Sequence, residues 1–288
     1  MVEDAGRGEE GSVEVSPALT QDHDVSARDP AVILNIPSRH NATLHALVDL
    51  VNADIGLHAL WRCANVNAVD RLGMSDHGPV HVRIVANIAL RLFRMLTGAQ
   101  YEAGVVRNHG LSAADGEVVV VLASLLHDVG MAVHRDDHER FSLILAEPKA
   151  RHLLAGLYAE PDLTVLVSEV LHAIIAHRSD GHPLTLEAGV VRVADALDMA
   201  KGRSRIPFEA GQVNIHSVSA AAIDRVAIER GDRKPVRISI EMSNSAGIFQ
   251  LDELLKEKLR GSGIEEAIEV TAQLSGESER SLVQVFRI

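Results

Sequence analysis

Cysteine and aromatic residues are scarce in this chain. The 288 residues include one cysteine, Cys63, which can form neither an internal disulfide nor a cysteine-rich zinc site. Any metal would therefore need histidine and carboxylate ligands, and fifteen histidines are present. Aromatic residues make up 3% of the sequence, whereas Ala, Val and Leu are abundant. This composition suits close-packed helices better than an aromatic-rich β-sandwich, so we expect a mainly α-helical protein.

Long apolar runs and targeting segments are also missing. No stretch approaches the ~20 continuous apolar residues that a membrane-spanning helix needs. The first thirty residues carry acids instead of a basic stretch followed by an apolar one, which is the pattern of a secretion signal. We therefore expect a cytoplasmic protein with no membrane partner.

Positive charge is in deficit, with 28 Lys and Arg against 40 Asp and Glu and a formal net charge of −12. Residues 1–29 hold eight acids against Arg7 and Arg28, so this segment accounts for half of the excess. Residues 1–30 also lack any apolar period, which predicts a disordered acidic tail. The charge makes long nucleic acid an unfavourable partner but is compatible with a small phosphorylated one, such as a nucleotide.

The rest of the chain divides into two patterns. Helical periodicity runs through a predicted domain at 40–206, with expected helices at 42–62, 77–97, 113–127, 137–147, 162–177 and 184–200. After Pro207 the apolar residues alternate with polar ones, as in strands. We expect a small α+β domain of ββαββ order at 207–288. Two roles are open for it: formation of a homodimer, or coverage of the substrate pocket.

The dipeptide His127-Asp128 ends an apolar run, residues 118–126, and precedes Gly130, which favours a helix stop. Burying an ionised carboxylate costs several kcal/mol unless a cation or hydrogen bonds compensate, and a divalent ion supplies such compensation. The alternative is an ordinary polar helix end exposed to water.

Three further residues of metal-ligand type lie on apolar helix faces. His81 precedes apolar residues at helical spacing, namely Ile84, Val85, Ile88 and Leu92. His177 follows Val170 and Ile174 on one face, and Asp195 lies one turn after Val191. One buried histidine is usually structural, but several such groups on core-facing stripes indicate a shared site.

These residues resemble the H…HD…D signature of the HD superfamily of metal-dependent phosphohydrolases. The chain matches it in order with His81, His127, Asp128 and Asp195. The segment SLLHDVG at 124–130 is similar to the family's LLHDIG, and ADALD at 194–198 is similar to its AD…D helix. The resemblance covers roughly residues 75–205. It implies a first divalent ion on these four residues.

Dinuclear members of the family carry additional histidines. His138 resembles their intermediate histidine, and AIIAH at 173–177 resembles their motif ending in His177. The resemblance implies a second ion on His138 and His177, with Asp128 as the bridge. Mn, Fe, Mg, Ni, Co and Zn are not distinguished by this pattern. The HD-GYP subgroup, which hydrolyses cyclic dinucleotides, has a Lys after the HD motif and a paired histidine. Here Met131 and the single His177 occupy those places, so cyclic di-GMP is a weak match.

The chemistry expected from the resemblance is hydrolysis of a nucleotide-type phosphomonoester or phosphodiester by metal-activated water, with Asp128 as the central catalytic residue. No Gly-x-Ser-x-Gly elbow or Gly-rich phosphate loop is present. Arg203 and Arg205 are candidates for holding the phosphate, or are ordinary cations beyond a helix end. Asp198, one turn after Asp195, is a candidate for orienting a metal ligand.

Two other functions remain open at this stage. Some proteins with an HD fold use a di-iron pair to activate oxygen. A non-catalytic sensor or scaffold could retain the pocket to bind a nucleotide, although binding alone would not require every metal ligand.

Overall fold

The computed structural model describes residues 33–178, 180–199, 219, 221–275 and 285–287. The predicted tail at 1–30, the predicted domain boundary at 206–207, and Arg203 and Arg205 lie outside this part of the chain.

The centre of the helical part is α5, Ala113–Leu126. Its sequence, with four consecutive valines before Leu-Ala-Ser-Leu-Leu, is apolar on every face, and a helix of this kind is stable only when it is surrounded by other elements. Residues 118–126 are all fully buried. Helices α1 (Ala42–Ala53), α3 (Pro79–Gly98), α7 (Asp162–Ala176) and α8 (Leu186–Leu197) pack around it. A capping box between Ser112 and Asp115 fixes its start, and it ends at His127.

The surrounding helices follow the expected periodicity. Their bounds are α1 Ala42–Ala53, α2 Ile55–Asn65, α3 Pro79–Gly98, α4 Gly104–His109, α6 His138–Leu154, α7 Asp162–Ala176 and α8 Leu186–Leu197. A π-helical turn, Val66–Arg71, extends α2, and a 3-10 turn, Val129–Ala132, follows the HD dipeptide. Within the described residues the predicted fold class, a helical bundle followed by an α+β unit, is confirmed.

Some predicted helix bounds are wrong. The single helix expected at 42–62 is two helices, because Asp54 adopts an extended conformation and its carboxylate accepts a hydrogen bond from the Leu57 amide, which starts α2. The helix expected at 137–147 continues to Leu154 although Pro148 lies inside it. The short helix α4 has no counterpart in the predicted set.

The C-terminal unit has the predicted ββαββ order. Its strands are β1 Ile223–Arg230, β2 Val236–Met242, β3 Ile268–Leu274 and β4 Val285–Arg287. Strands β1 and β2 pair antiparallel, β2 and β3 parallel, and β3 and β4 antiparallel. A parallel pair needs a crossover connection, and here the crossover contains a π-helical turn, Gln250–Leu255, and the short helix α9, Lys256–Leu259.

The crossover packs against α8. At Gly189 of α8, an added Cβ would lie 2.2 Å from the carbonyl oxygen of Ser262, so the absence of a side chain permits this close approach. The Arg192 guanidinium, also on α8, donates hydrogen bonds to the carbonyl oxygens of Glu257 and Lys258. One apolar cluster runs through both the helices and the sheet. The crossover is thus held beside the helix that carries Asp195.

Among the helices of the described residues, none is long and apolar enough to cross a membrane.

Candidate metal centre

The structure brings all six predicted metal ligands together. His81 lies in the first turn of α3, and His127 and Asp128 follow α5. His138 begins α6, His177 ends α7, and Asp195 lies in the last turn of α8. Asp195 is partly buried and the others are buried.

Four of the six form one side of the centre. The Nε2 atoms of His81 and His127 are 3.2 Å apart. Oδ2 of Asp128 lies 3.4 Å from Nε2 of His81 and 3.3 Å from Nε2 of His127. Oδ1 of Asp195 lies 3.4 and 3.7 Å from the same two nitrogens. Four donor atoms therefore face a common point.

The second oxygen of Asp128 faces the other side. Its Oδ1 atom lies 3.2 Å from Nε2 of His138 and 3.8 Å from Nε2 of His177. Thus one oxygen of this carboxylate is directed at His81 and His127, and the other at His138 and His177. This arrangement is suited to a carboxylate that bridges two ions.

Backbone carbonyls orient two of the rings. Nδ1 of His127 lies 2.8 Å from the carbonyl oxygen of Ser124, and Nδ1 of His177 lies 2.5 Å from that of Ile174. A ring that donates its Nδ1–H to a carbonyl carries no proton on Nε2 when neutral. In its neutral form, each ring therefore presents an Nε2 lone pair to the centre.

The other two rings also have oxygen atoms near Nδ1. Nδ1 of His81 lies 2.6 Å from Oδ2 of Asp198, and Nδ1 of His138 lies 3.0 Å from the carbonyl oxygen of Arg135. The Asp198 carboxylate thus lies within hydrogen-bonding distance of the His81 ring, and its orienting role stays a prediction. His81, His127 and His177 thus have an acceptor at Nδ1, which leaves Nε2 available as a ligand atom. Nδ1 of His138 also lies 2.8 Å from Nη1 of Arg135, which is a donor, so its contacts do not select one tautomer.

The electrostatic environment of the centre favours positive charge. Burial acts to lower the pKa of His127, but the carboxylates of Asp128 and Asp195 outweigh it and raise this pKa to about 9. Burial acts to raise the pKa of Asp128, yet the charge of His127 and hydrogen bonds from His127, His138 and His81 hold it well below its usual range. A proton or a metal ion between these groups is therefore strongly stabilised.

His177 behaves differently from His127. Burial, followed by the positive charges of His127 and Lys258, lowers its pKa to about 3. The ring is consequently neutral at neutral pH, the form in which histidine binds metals.

The donor atoms fit a divalent ion. Ligand atoms about 2.1 Å from a shared ion lie roughly 3.0–3.4 Å from each other in octahedral or tetrahedral arrangements. Most of the distances among the first four donors fall in or near this range. Among the residues that the structure describes, three sets of His, Asp and Glu have donor atoms within 4.8 Å of one another: His81, His127 and Asp195; His127, Asp128 and His177; and His138, Glu139 and His177. The residues could hold one ion or two.

Sequence reasoning missed two residues at this centre. Glu139 joins His138 and His177 in one of the three sets, and its only sequence signal is its place beside His138. Lys258 lies 130 residues after Asp128 in the chain, yet its Nζ atom is 3.3 Å from Oδ2 of Asp195. No motif or spacing indicates Lys258, because the crossover of the C-terminal unit brings it there.

A cleft of about 1460 Å³ lies elsewhere, between α3 and the β1–β2 hairpin. Its lining includes Arg91, Met95, Arg230 and Arg233 but none of the six predicted ligands. The metal centre is therefore separate from this cleft.

Comparison with known proteins places these residues in a family. The family model described as HD domain matches residues 80–200, which include all six predicted ligands. An uncharacterized protein of Methanocaldococcus jannaschii is 44% identical over 221 residues, covering 77% of this chain and 85% of that protein.

Proteins named ribonuclease Y are more distant relatives. Those of Desulforamulus reducens and Thermoanaerobacter pseudethanolicus are 29% and 28% identical over 174 and 169 residues. Each match covers 58% of this chain but 30% of the ribonuclease, so the chain spans about a third of their length. No solved structure matches significantly. The family model, the similarity to the M. jannaschii protein and the assembled His and Asp residues lead to one conclusion: this chain belongs to the HD domain family, whose members are generally metal-dependent hydrolases.

Proposed function

We propose that this protein hydrolyses a phosphodiester bond in a nucleotide-type substrate, with water as the attacking group and two divalent ions as cofactors. The observation that carries the proposal is the position of Asp128, whose two oxygens face different pairs of histidines. A single-ion site would require ligands on one side of this carboxylate only.

In this proposal His81, His127, Asp128 and Asp195 hold the first ion. His138 and His177 hold the second, Asp128 bridges the two, and Glu139 is an additional candidate for the second. Such ions, when bound, lower the pKa of water and neutralise charge that develops on phosphoryl oxygens.

The protein's own contribution is preorganisation. The acceptors at Nδ1 of His81, His127 and His177 keep these three rings in one orientation, so the rings need not turn when ligands bind. Burial of five of the six residues limits competition from bulk water and strengthens electrostatic interactions in the centre. Arg203, which lies outside the described residues, stays a candidate for binding the phosphate.

The comparisons support a phosphodiester substrate over a phosphomonoester substrate. The distant relatives are named as ribonucleases, and the nucleotides of RNA are linked by phosphodiester bonds. The net charge of −12 supports a small substrate over long nucleic acid.

A direct test measures metal content and substrate preference together. Protein reconstituted separately with Mn²⁺, Mg²⁺, Fe²⁺, Co²⁺, Ni²⁺ and Zn²⁺ should be assayed anaerobically on bis(p-nitrophenyl) phosphate, p-nitrophenyl phosphate, cyclic nucleotides and dinucleotides. We expect about two ions per chain and faster cleavage of diesters than of monoesters. Retention of activity without oxygen also separates hydrolysis from oxygenase chemistry.

Asp128→Ala provides the negative control, and Asp49→Asn, at an exposed site on α1, provides the matched positive one. Asp128→Ala should bind less metal and lose hydrolysis while its circular dichroism stays helical. Normal turnover by this variant, or faster cleavage of monoesters by the wild type, would contradict the proposal.

A further inference from the structure

A lysine from the C-terminal unit reaches the metal centre. Lys258 lies on α9, in the crossover between β2 and β3, and its helix packs on α8. Its ammonium group donates a hydrogen bond to the carbonyl oxygen of His177 and lies 3.3 Å from Oδ2 of Asp195. Among the Lys and Arg residues that the structure describes, Lys258 alone forms an ion pair with a ligand carboxylate of the centre.

The position of this lysine is fixed through its backbone. Nε of Arg192 lies 2.8 Å from the carbonyl oxygen of Lys258, and the same guanidinium donates to the carbonyl oxygens of Gly181 and Ala176. Arg192 therefore joins the end of α7 to α9. Because Arg192 holds the backbone both at the end of α7 and at Lys258, little conformational entropy would be lost when Lys258 binds a ligand.

The ammonium group has bonding capacity beyond these contacts. It carries three N–H donors, and the described residues supply two acceptors. The side chain is 14% exposed, so it is not sealed from solvent. One donor is thus available to a bound molecule.

Its charge is difficult to explain by metal binding alone. A cation beside Asp195 repels a divalent ion at that carboxylate and competes with the ion for its oxygens. The same charge is favourable when an anion is bound at the centre together with the ion, because the ammonium and the ion then attract it jointly. The arrangement therefore favours a ternary complex of protein, metal and anion.

We propose that Lys258 binds the substrate, donating a charge-assisted hydrogen bond to a phosphoryl oxygen at the metal centre. The ligand class is a phosphate ester or its phosphate product. This inference rests on the proposed function, whose site it extends to the C-terminal unit. It also gives the C-terminal unit a role in binding the substrate.

The test compares Lys258→Met with Lys256→Met, which is a matched control on the same helix. Lys256 is 42% exposed and pairs with Asp252 four residues earlier, which is not one of the six predicted ligands. Binding of inorganic phosphate to the metal-loaded protein is measured by calorimetry, and metal affinity by competition with a chelator. We expect Lys258→Met to bind phosphate about 10- to 100-fold more weakly, from the usual size of a charged hydrogen bond. Its metal affinity should be equal to the wild type or higher, and Lys258→Arg should recover part of the phosphate affinity.

Three results would overturn the inference: unchanged phosphate affinity in Lys258→Met, an equal loss in Lys256→Met, or loss of metal from Lys258→Met, which would indicate a structural role. Failure of the proposed function has a different signature. In that case phosphate binding depends on Lys258 while the wild type cleaves no phosphate ester. Diester cleavage with phosphate affinity independent of Lys258 would leave the function standing and remove the inference.

Discussion

Nδ1 of His81 lies 2.6 Å from Oδ2 of Asp198, and both side chains are buried. These residues are 117 positions apart in the chain. The contact fixes the ring of His81 with its Nε2 atom toward His127, Asp128 and Asp195. Asp198 therefore acts on the centre through His81.

Replacement of Asp198 by Asn should weaken metal binding. The amide keeps the shape of the carboxylate but loses its charge, so it holds the Nδ1–H of His81 less strongly. Loss of such a partner typically lowers metal affinity about 10- to 100-fold. Chelator competition measures the change, with the exposed Asp49→Asn variant as the control. Equal affinities in the two variants would show that Asp198 does not orient His81.

The helical centre of this fold could be predicted, because α5 is apolar on every face and His127-Asp128 follows it directly. The predicted ligands lie on α3, α7 and α8 for a similar reason: each polar residue interrupts or ends an apolar stripe. The break at Asp54 was missed because the apolar period continues across it, and only the hydrogen bond to the Leu57 amide reveals it.

Lys258 illustrates a different limit. Its position depends on a parallel strand pair, on a close approach at Gly189 and on hydrogen bonds from Arg192. These are relations between residues remote in sequence, and the local pattern around Lys258 indicates only an amphipathic helix. The sequence alone therefore could not predict that a lysine of the C-terminal unit lies beside a centre formed by the helices.

The close approach at Gly189 predicts a large effect of a small side chain. In Gly189→Ala the new Cβ would lie 2.2 Å from the Ser262 carbonyl oxygen, so α8 and the crossover must separate. We expect a loss of about 1–3 kcal/mol in the free energy of unfolding, as for overpacked interiors. Urea denaturation measures it.

Gly98 provides the matched control, because it also lies in a helix but an added Cβ there would have no neighbour within 4 Å. Gly98→Ala should leave stability unchanged or raise it by up to ~1 kcal/mol. If Gly189→Ala behaves in the same way, the crossover does not pack closely on α8.

The ion pair between Arg94 and Glu117 predicts a pH-dependent stability. Nε and Nη2 of Arg94 lie 2.6 and 2.8 Å from the two oxygens of Glu117, and Asn41 donates to the same carboxylate. Burial acts to raise the pKa of Glu117, but the hydrogen bonds from Arg94 and Asn41 outweigh it, so the pKa is below its usual value of 4.5. The charged form is thus favoured by folding.

Because this pKa is lowered in the folded state, its stabilising effect is fully present above about pH 4.5 and is lost as pH falls through the folded pKa. Glu117→Gln should cost about 1–2 kcal/mol at pH 7, an amount reduced by the partial exposure of Arg94. The difference from wild type should narrow as pH falls below about 4.5. Urea denaturation from pH 7 to 3.5 tests this, and a difference that stays constant would exclude the ion pair as its source.

His177 distinguishes two ions from one. Its Nε2 atom lies 3.8 Å from Oδ1 of Asp128, on the side opposite the oxygen that faces His81 and His127. His177→Ala should therefore remove a ligand of the second ion and leave the first set of donors intact. We expect metal content to fall from about two ions to about one per chain, with strongly slowed turnover because a two-ion site clamps both the attacking and leaving oxygens.

The control for this variant is His172→Ala, five residues earlier on α7. His172 accepts a hydrogen bond from the Leu184 amide and is absent from the candidate ligand sets, so its removal should leave metal content unchanged. Elemental analysis after removal of loosely bound metal measures both variants. A wild-type protein that saturates at one ion, or a His177→Ala variant that keeps two, would refute the dinuclear centre. In that case Asp128 does not bridge, and the contact of its Oδ1 atom with His138 becomes a hydrogen bond that only orients the carboxylate.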